Sequence, residues 1–281
     1  MLILKHLRSN SSNGSQEVTD MRSTLSRLHY SVSWSGGKDS TASIILAHEN
    51  NEPIDSIVFV EVMYDLKRNI SGENPEHIKF IREVAKPLFE SWGYPVYILR
   101  ANRDFLGFFN RIIDNPRKHL DHKGKRFGFP CYGLCGVKRD LKLKPMNDFY
   151  KKIEDLIQYV GICVDEPKRL ASLHKQNNRV SLLEKYEYTE EMARQKCIEY
   201  GLLSPCYQYS KRGGCWFCPN AKFAEQREIK RLYPDIWKEF IALENEPNIA
   251  NDKWNIYGKT LHEIDNELEK EIENNDRARS N

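Results

Sequence analysis

The hydrophobic positions of the chain fall into short runs of β-forming residues and longer segments with helical spacing. Four such runs predict strands, at 29–34, 56–63, 96–100 and 158–164. Between them, apolar residues recur at helical spacing over 40–50 and over 75–92, although Pro87 lies late in the second segment. Strands that alternate with helices are typical of βαβ units. We therefore predict an α/β fold with a doubly wound, mostly parallel sheet of Rossmann-like type.

Beyond residue 100 the pattern is less regular. The segment 102–152 is aromatic and basic and contains two of the seven cysteines. No strong strand signal follows Asn178. Thr189, which precedes two glutamates, predicts the N-cap of a helix over 189–200. The charged last twenty residues predict a helix that frays into a disordered end.

Composition suggests how the chain is organised. Residues 1–24 lack the apolar core and cleavage site of a signal peptide, and we expect them to form a flexible tail. We expect the main domain to span 25–225, and a helical C-terminal extension to the cysteine-rich region to span 226–281. The hydrophobic share of 40% and the charged share of 30% are those of ordinary soluble proteins. With no run of eighteen apolar residues, we expect a cytoplasmic protein without a membrane span.

The most informative segment is Ser-Gly-Gly-Lys-Asp-Ser at 35–40, which joins the first predicted strand to the first predicted helix. Its glycines permit positive φ and let backbone N–H groups converge on an anion. The helix that follows adds the positive end of its dipole. Ser35 and Ser40 offer hydroxyls and Lys38 offers a positive charge. An ordinary Gly-Gly turn is the alternative, and the spacing is not that of a Walker loop.

This segment resembles the PP-loop of the ATP pyrophosphatase superfamily, whose fold is of the adenine nucleotide alpha hydrolase-like (HUP) type. The resemblance implies binding of ATP or a sulfonucleotide, with Mg²⁺ bridging phosphates and with Lys38 and Asp39 as catalytic residues. It also implies a set of phosphate or sulfate contacts: Ser35, Gly36, Gly37, Lys38, Asp39 and Ser40. Related enzymes place an acidic or polar residue at the end of the second strand. Glu61 is the candidate there, and a surface carboxylate is the alternative.

Two further segments resemble the phosphoadenosine phosphosulfate (PAPS) reductase family, and with the PP-loop they cover roughly 28–225. The first segment, 135–145, begins at Cys135, contains Leu-Lys and ends at a proline. The second segment, 161–169, begins at a glycine, contains a glutamate and ends at Arg169. The resemblance implies anion contacts from Lys138, Lys142 and Arg169. Helical spacing over 135–142 would place both lysines on one face.

Five of the seven cysteines lie in two regions about eighty residues apart. Cys215 and Cys218 form a Cys-x-x-Cys knuckle, which binds a metal or cluster, serves redox chemistry or occurs by accident. The spacing resembles that of the sulfurtransferase branch of DNA phosphorothioation systems. This implies a [4Fe-4S] cluster on four ligands: Cys135, Cys206, Cys215 and Cys218. The adenylyl sulfate reductase pattern would replace Cys206 by Cys131, and a Cys₄ zinc site is the alternative to iron–sulfur.

The remaining two cysteines have apolar neighbours, and we predict structural roles for both. Cys163 falls within the fourth predicted strand, and Cys197 falls on the predicted helix over 189–200. The reductases of the family use a cysteine in a C-terminal Glu-Cys-Gly motif, whereas no cysteine follows Cys218. Cys131 is the candidate for a substitute nucleophile.

Three functions are compatible with these features. ATP-dependent sulfur transfer is favoured, with an acceptor activated as an adenylate, pyrophosphate released, and a sulfur donor or reductant protein as partner. The acceptor would be tRNA, DNA or a metabolite. A PAPS or adenylyl sulfate reductase with an atypical nucleophile is the second function. The third is a non-catalytic nucleotide- or nucleic-acid-binding module that uses the basic runs at 117–126 and 138–144, although the net charge is only +3.

Overall fold

The computed structural model describes residues 27–130 and 135–280 of the chain. Its strands are β1 (His29–Trp34), β2 (Ser56–Glu61), β3 (Met63–Asp65), β4 (Ile70–Ser71), β5 (Val96–Arg100), β6 (Arg126–Gly128), β7 (Leu156–Tyr159), β8 (Arg179–Val180) and β9 (Ile249–Asn251). Five of them form one sheet in the order β5-β2-β1-β7-β8, and every neighbouring pair is parallel. The predicted α/β fold with a mostly parallel sheet is therefore confirmed.

The α-helices are α1 (Lys38–Glu49), α2 (Pro75–Phe80), α3 (Lys86–Ser91), α4 (Phe105–Phe109), α5 (Lys144–Tyr150), α6 (Pro167–Leu173), α7 (Leu182–Lys185), α8 (Glu190–Glu199), α9 (Phe223–Leu232), α10 (Pro234–Ala242) and α11 (Leu261–Ser280). Two π-helical segments, Ile81–Ala85 and Lys138–Leu143, precede α3 and α5. Three short 3₁₀ turns occur at Leu120–His122, Pro205–Gln208 and Leu243–Asn245. None of these helices combines the length and apolar character that a bilayer crossing requires.

The sheet places a crevice at the end of β1. The chain passes from β1 through α1 to β2 on one side, whereas β7 pairs with β1 on the other side. In open α/β sheets, ligands bind where the strand order reverses in this way, outside the carboxyl ends of the strands. The segment 35–40 begins at this point.

One predicted strand has the wrong bounds, and one strand of the sheet was not predicted. The fourth predicted strand ends at Tyr159, so 160–164 leaves the sheet and Cys163 lies in a loop. The pairing of β8 with β7 was not predicted, because two residues are too few for a periodic signal. The N-cap prediction is confirmed, since the Thr189 side chain accepts a hydrogen bond from the Met192 N–H.

Both π-helical segments end at the residue before a lysine–proline pair, with Pro87 and Pro145 in the first turn of the following helix. Proline has no N–H, and its ring clashes with the carbonyl four residues earlier in a regular α-helix. A widened turn of the i→i+5 type relieves that conflict and lets the helix continue past the proline. The predicted helix over 75–92 is therefore one helical rod with an inserted turn.

Two hydrophobic cores fill the structure. The first surrounds the sheet and includes Val32 and Ile45, both fully buried. The second is aromatic and joins Tyr64 and Phe105 to Phe240 and Leu268, all at most 1% exposed. Helices beyond residue 225 thus share a core with elements that precede it.

Gly128 provides a test of this second region. Its φ is +84°, and an added Cβ would lie 2.4 Å from the Asn251 carbonyl oxygen of the paired strand β9. We expect Gly128→Ala to lower the free energy of unfolding by about 3 kcal/mol, through backbone strain and overpacking together. Gly124→Ala is the matched control, because φ is +80° there but nothing lies within 4 Å. It should cost about 1 kcal/mol. Equal urea midpoints for the two variants would contradict the predicted clash.

Candidate nucleotide and cysteine site

The phosphate loop, residues 35–40, leaves β1 at Trp34 and enters α1 at Lys38. Gly36 has a φ of +73°, and an added Cβ there would meet the buried His77 ring at 2.7 Å. Only glycine therefore fits the turn. The Ser35 and Ser40 hydroxyls lie 3.0 Å apart, and the Ser35 N–H donates to Ser40 Oγ. The six residues are thus held as one turn at the amino end of a twelve-residue helix.

Lys38 extends its ammonium group between two carboxylates. Its Nζ lies 2.6 Å from Asp39 Oδ1 and 2.8 Å from Glu190 Oε2, and only 12% of the side chain is exposed. Burial lowers the pKa of Lys38, but hydrogen bonds to Asp39 and Glu190 outweigh burial and leave the pKa above its ordinary value. Lys38 is therefore a permanent cation beside the loop, where it can neutralise a phosphate.

A cleft of about 670 Å³ opens over the loop. Ser35, Gly37, Lys38, Asp39 and Ser40 line it. The opposite walls carry further cations from distant parts of the chain, namely Lys142, Arg169, Arg179, Lys211 and Arg212. An elongated polyanion is the kind of ligand that such a cleft attracts.

Of the other predicted anion contacts, two reach the cleft and two do not. Lys142 lines it and pairs with buried Glu73 at 3.6 Å, and Arg169 lines it from the first turn of α6 beside Glu166. Lys138 is exposed and is not part of the cleft wall. Of the two lysines predicted to bind an anion from one helix face, only Lys142 therefore reaches the cleft.

Glu61 is also separate from the cleft wall. Its side chain is fully buried and accepts hydrogen bonds from Arg82 at 2.6 Å and Arg100 at 2.9 Å. Each oxygen of the carboxylate is therefore engaged by a guanidinium. Glu61 links β2 to β5 and to the helical rod, which corrects the prediction that it faces a nucleotide.

Three of the predicted cysteine ligands lie together. Cys135 and Cys215 pack against the aromatic core, and Cys218 follows Cys215 in a tight turn with an N–H···O distance of 3.2 Å. Burial raises the pKa of the Cys135 and Cys215 thiols, and the neighbouring cysteines add to the rise. Arg212, a cleft residue, also lines a small pocket together with Cys215, and the nearby Cys218 and Cys215 sulfurs contribute to raising its pKa. Cys131 lies outside the described residues.

The fourth predicted ligand, Cys206, is elsewhere. Its buried Sγ lies 3.3 Å from Ser204 Oγ and 3.7 Å from His77 Nδ1, beneath the phosphate loop. Burial raises the pKa of this thiol to about 11. Cys206 therefore belongs to the packing of the loop, in contrast to its predicted place at the metal centre.

The spacing of the three clustered thiols bears on which metal they fit. A tetrahedral zinc ion with bonds of ~2.3 Å holds its sulfurs ~3.8 Å apart. Within 27–130 and 135–280, only His119, Asp121 and His122 bring three ligand atoms within 4.8 Å of one another. At least one pair of the Cys135, Cys215 and Cys218 sulfurs is therefore further apart than 4.8 Å in this metal-free arrangement.

Several residues at the site escaped sequence analysis. The sequence indicates Glu190 only as a glutamate in the first turn of a helix, yet its carboxylate accepts a hydrogen bond from the Lys38 ammonium, 152 positions away. Tyr207 Oη accepts a hydrogen bond from the Lys38 N–H. Cys163, predicted to be structural in a strand, lies with its Sγ 3.5 Å from Asp39 Oδ1. No local pattern signals these contacts, although the Thr189 cap did locate Glu190 at a helix start.

Comparison with known proteins yields similarity to solved structures only. No family model and no curated protein matches the chain. The U34-tRNA thiolase NcsA from Methanococcus maripaludis with its [4Fe-4S] cluster has a TM-score of 0.39 at 16% identity, covering 88% of this chain and 72% of that one. The PAPS reductase from Candida auris in its phosphate complex has a TM-score of 0.42 at 11% identity, covering 69% and 84% respectively. At these TM-scores, neither likeness carries an argument about function.

Proposed function

We propose that this chain is a PP-loop enzyme of the PAPS reductase family that uses ATP to activate an acceptor for sulfur transfer. One observation carries the proposal: the phosphate loop and the cysteine centre share a wall. Arg212 and Gly213 line the cleft and also line a small pocket with Cys215. Lys142 lines the cleft and lies near enough to Cys215 to oppose the rise in its pKa. A bound nucleotide and a sulfur-binding centre would therefore be neighbours.

The loop supports adenylyl transfer chemistry. An acceptor oxygen attacks the α-phosphorus of ATP, the bond to the β-phosphate oxygen breaks, and pyrophosphate leaves. The Lys38 ammonium and the loop amides stabilise the charge that develops on the departing phosphates. Mg²⁺ bound with the nucleotide would neutralise part of the same charge. A hydrosulfide ion from a donor then attacks the acceptor carbon, the bond from that carbon to the adenylate oxygen breaks, and the oxygen leaves with AMP.

The cysteine centre fits a [4Fe-4S] cluster better than zinc. Cys135 and Cys215 supply thiolates that pack against the aromatic core, Cys218 lies next to them in the Cys-x-x-Cys turn, and such an apolar surround suits a cluster held by cysteine thiolates. When bound, such a cluster would hold sulfur next to the acceptor. The positive charges of Arg212 and Lys142 would offset the negative charge of the cluster and its thiolates, and would orient sulfur held on that side of the cleft.

The basic run at 117–126 supports a nucleic-acid acceptor. Arg117, Lys118 and Lys123 are exposed, and the segment is closed by hydrogen bonds between Ile113 and 124–125. Exposed cations on such a loop contact phosphates without base specificity. The same feature favours the third function considered above, a module that binds nucleic acid without turnover.

A single assay separates the candidate functions. Protein purified without oxygen is incubated with ATP, Mg²⁺ and sulfide, with tRNA or duplex DNA as acceptor, and pyrophosphate is measured. A parallel incubation contains PAPS in place of ATP, and sulfite is measured. We expect acceptor-dependent pyrophosphate release in the first incubation and no sulfite in the second. Sulfite from PAPS without pyrophosphate release would identify a reductase. Nucleic-acid binding with neither product would identify the non-catalytic module.

A further inference from the structure

The 3₁₀ turn Pro205–Gln208 lies across the phosphate loop. It brings the Tyr207 hydroxyl to 3.0 Å from the Lys38 N–H, which is the first amide of α1. Tyr207 also lines the cleft. The hydroxyl therefore lies at the amino end of α1, beside the position that a bound anion would occupy.

A chain of hydrogen bonds holds this turn against the loop. Ser204 Oγ lies 2.8 Å from His77 Nδ1, and His77 Nε2 lies 3.1 Å from the Ser35 carbonyl oxygen. A carbonyl only accepts, so Nε2 carries the ring proton and Nδ1 accepts from the Ser204 hydroxyl. Cys206 Sγ packs against Ser204 Oγ at the end of the chain. The residues on either side of Pro205 are thus buried and anchored, and Tyr207 cannot swing freely away.

The bonding of the Tyr207 hydroxyl leaves its own proton available. Its oxygen accepts from the Lys38 N–H, and a phenol has one proton to donate. Among the residues that the structure describes, no side chain or carbonyl accepts that proton. Burial raises the pKa of Tyr207 to about 12, so the proton stays in place at neutral pH. A hydroxyl fixed in this way donates to whatever anion enters the loop.

We propose that Tyr207 is a further substrate-binding residue, whose hydroxyl donates to a phosphate oxygen of the nucleotide while its oxygen stays bonded to the Lys38 N–H. The inference rests on the proposed function, since it assigns a contact at the same anion site. Tyr207 then adds a neutral donor to the loop.

The test compares two tyrosine-to-phenylalanine variants. Tyr207→Phe keeps the ring and removes the donor. Tyr209→Phe is the matched control, because its hydroxyl lies two residues further on, bonds the Asn74 side chain, and is not part of the cleft wall. Affinities for inorganic pyrophosphate and for ATP with Mg²⁺ are measured by calorimetry at pH 6.5 and pH 8.5. Thermal unfolding of each variant is measured in parallel.

We expect Tyr207→Phe to weaken the affinity for both probes by about tenfold or more, equally at the two pH values, as for a lost hydrogen bond to a charged group. Tyr209→Phe should bind as the wild type does. Unchanged affinity in Tyr207→Phe overturns the inference, and so does tighter binding, which would make the hydroxyl a competitor for the Lys38 N–H. Equal weakening in both variants also overturns it. A wild-type protein that binds neither probe overturns the proposed function as well.

Discussion

Lys38→Ala is expected to reduce pyrophosphate release by about 100- to 1,000-fold, the usual effect of removing one preorganised donor from a developing charge. Lys38 is the cation of the loop itself. Its ammonium group already lies within 2.8 Å of two carboxylates, with which a phosphate would compete. The loss should fall on turnover and on nucleotide affinity together. Steady-state kinetics and a direct binding measurement will separate the two.

Lys196→Ala is the matched control for this variant. Lys196 also pairs with two carboxylates, Glu49 and Glu199, each at 3.1 Å, and its side chain is 16% exposed against 12% for Lys38. It is not part of the cleft wall. We expect comparable changes in thermal stability but full turnover in Lys196→Ala. Retained turnover in Lys38→Ala, or an equal loss in both variants, would contradict the role of Lys38.

Cys215→Ser is expected to abolish the visible absorption of protein purified without oxygen and to remove its iron, normally about four atoms for a [4Fe-4S] cluster. The reason is that Cys215 packs on the aromatic core and lies near both Cys218 and Cys135, which contribute to raising its pKa. Iron, sulfide and zinc analyses with a visible spectrum measure the result. A colourless wild-type protein with one zinc ion would contradict the cluster.

Cys206→Ser is the control that distinguishes the two ligand sets. The structure places Cys206 against Ser204 and His77, so we expect this variant to retain its iron and its colour. Cys131→Ser tests the alternative fourth ligand and should lose iron as Cys215→Ser does. Loss of iron in Cys206→Ser with full retention in Cys131→Ser would restore the ligand set that sequence spacing predicts.

Local patterns predicted the sheet and the loop because both depend on neighbouring residues. The apolar runs of β1, β2 and β5 are continuous, and the loop's glycines lie directly after β1. Helical spacing alone could not show that Lys142 lines the cleft whereas Lys138 does not. The π-helical segments before Pro87 and Pro145 were not predicted either, although a proline late in a helical pattern is their signal.

Contacts between distant segments could not be predicted in the same way. Glu190 and Tyr207 reach Lys38 from more than 150 positions away, and each is set there by packing. Glu61 was predicted from its place at a strand end, which is correct, but its two arginine partners decide its role. Cys206 is close in sequence to Cys215 and Cys218. Spacing alone could not show that it packs against Ser204 and His77.

The aromatic core has a consequence for how the protein is made. It joins Tyr64 to Phe217 and to Leu268, so the ribosome must release most of the chain before these side chains can meet. The phosphate loop likewise acquires its Tyr207 and Glu190 contacts only once residues far along the chain have been made. Cys215 packs on the late-forming core. The apolar surround of any metal at the cysteines would therefore be complete only after α11 has been synthesised.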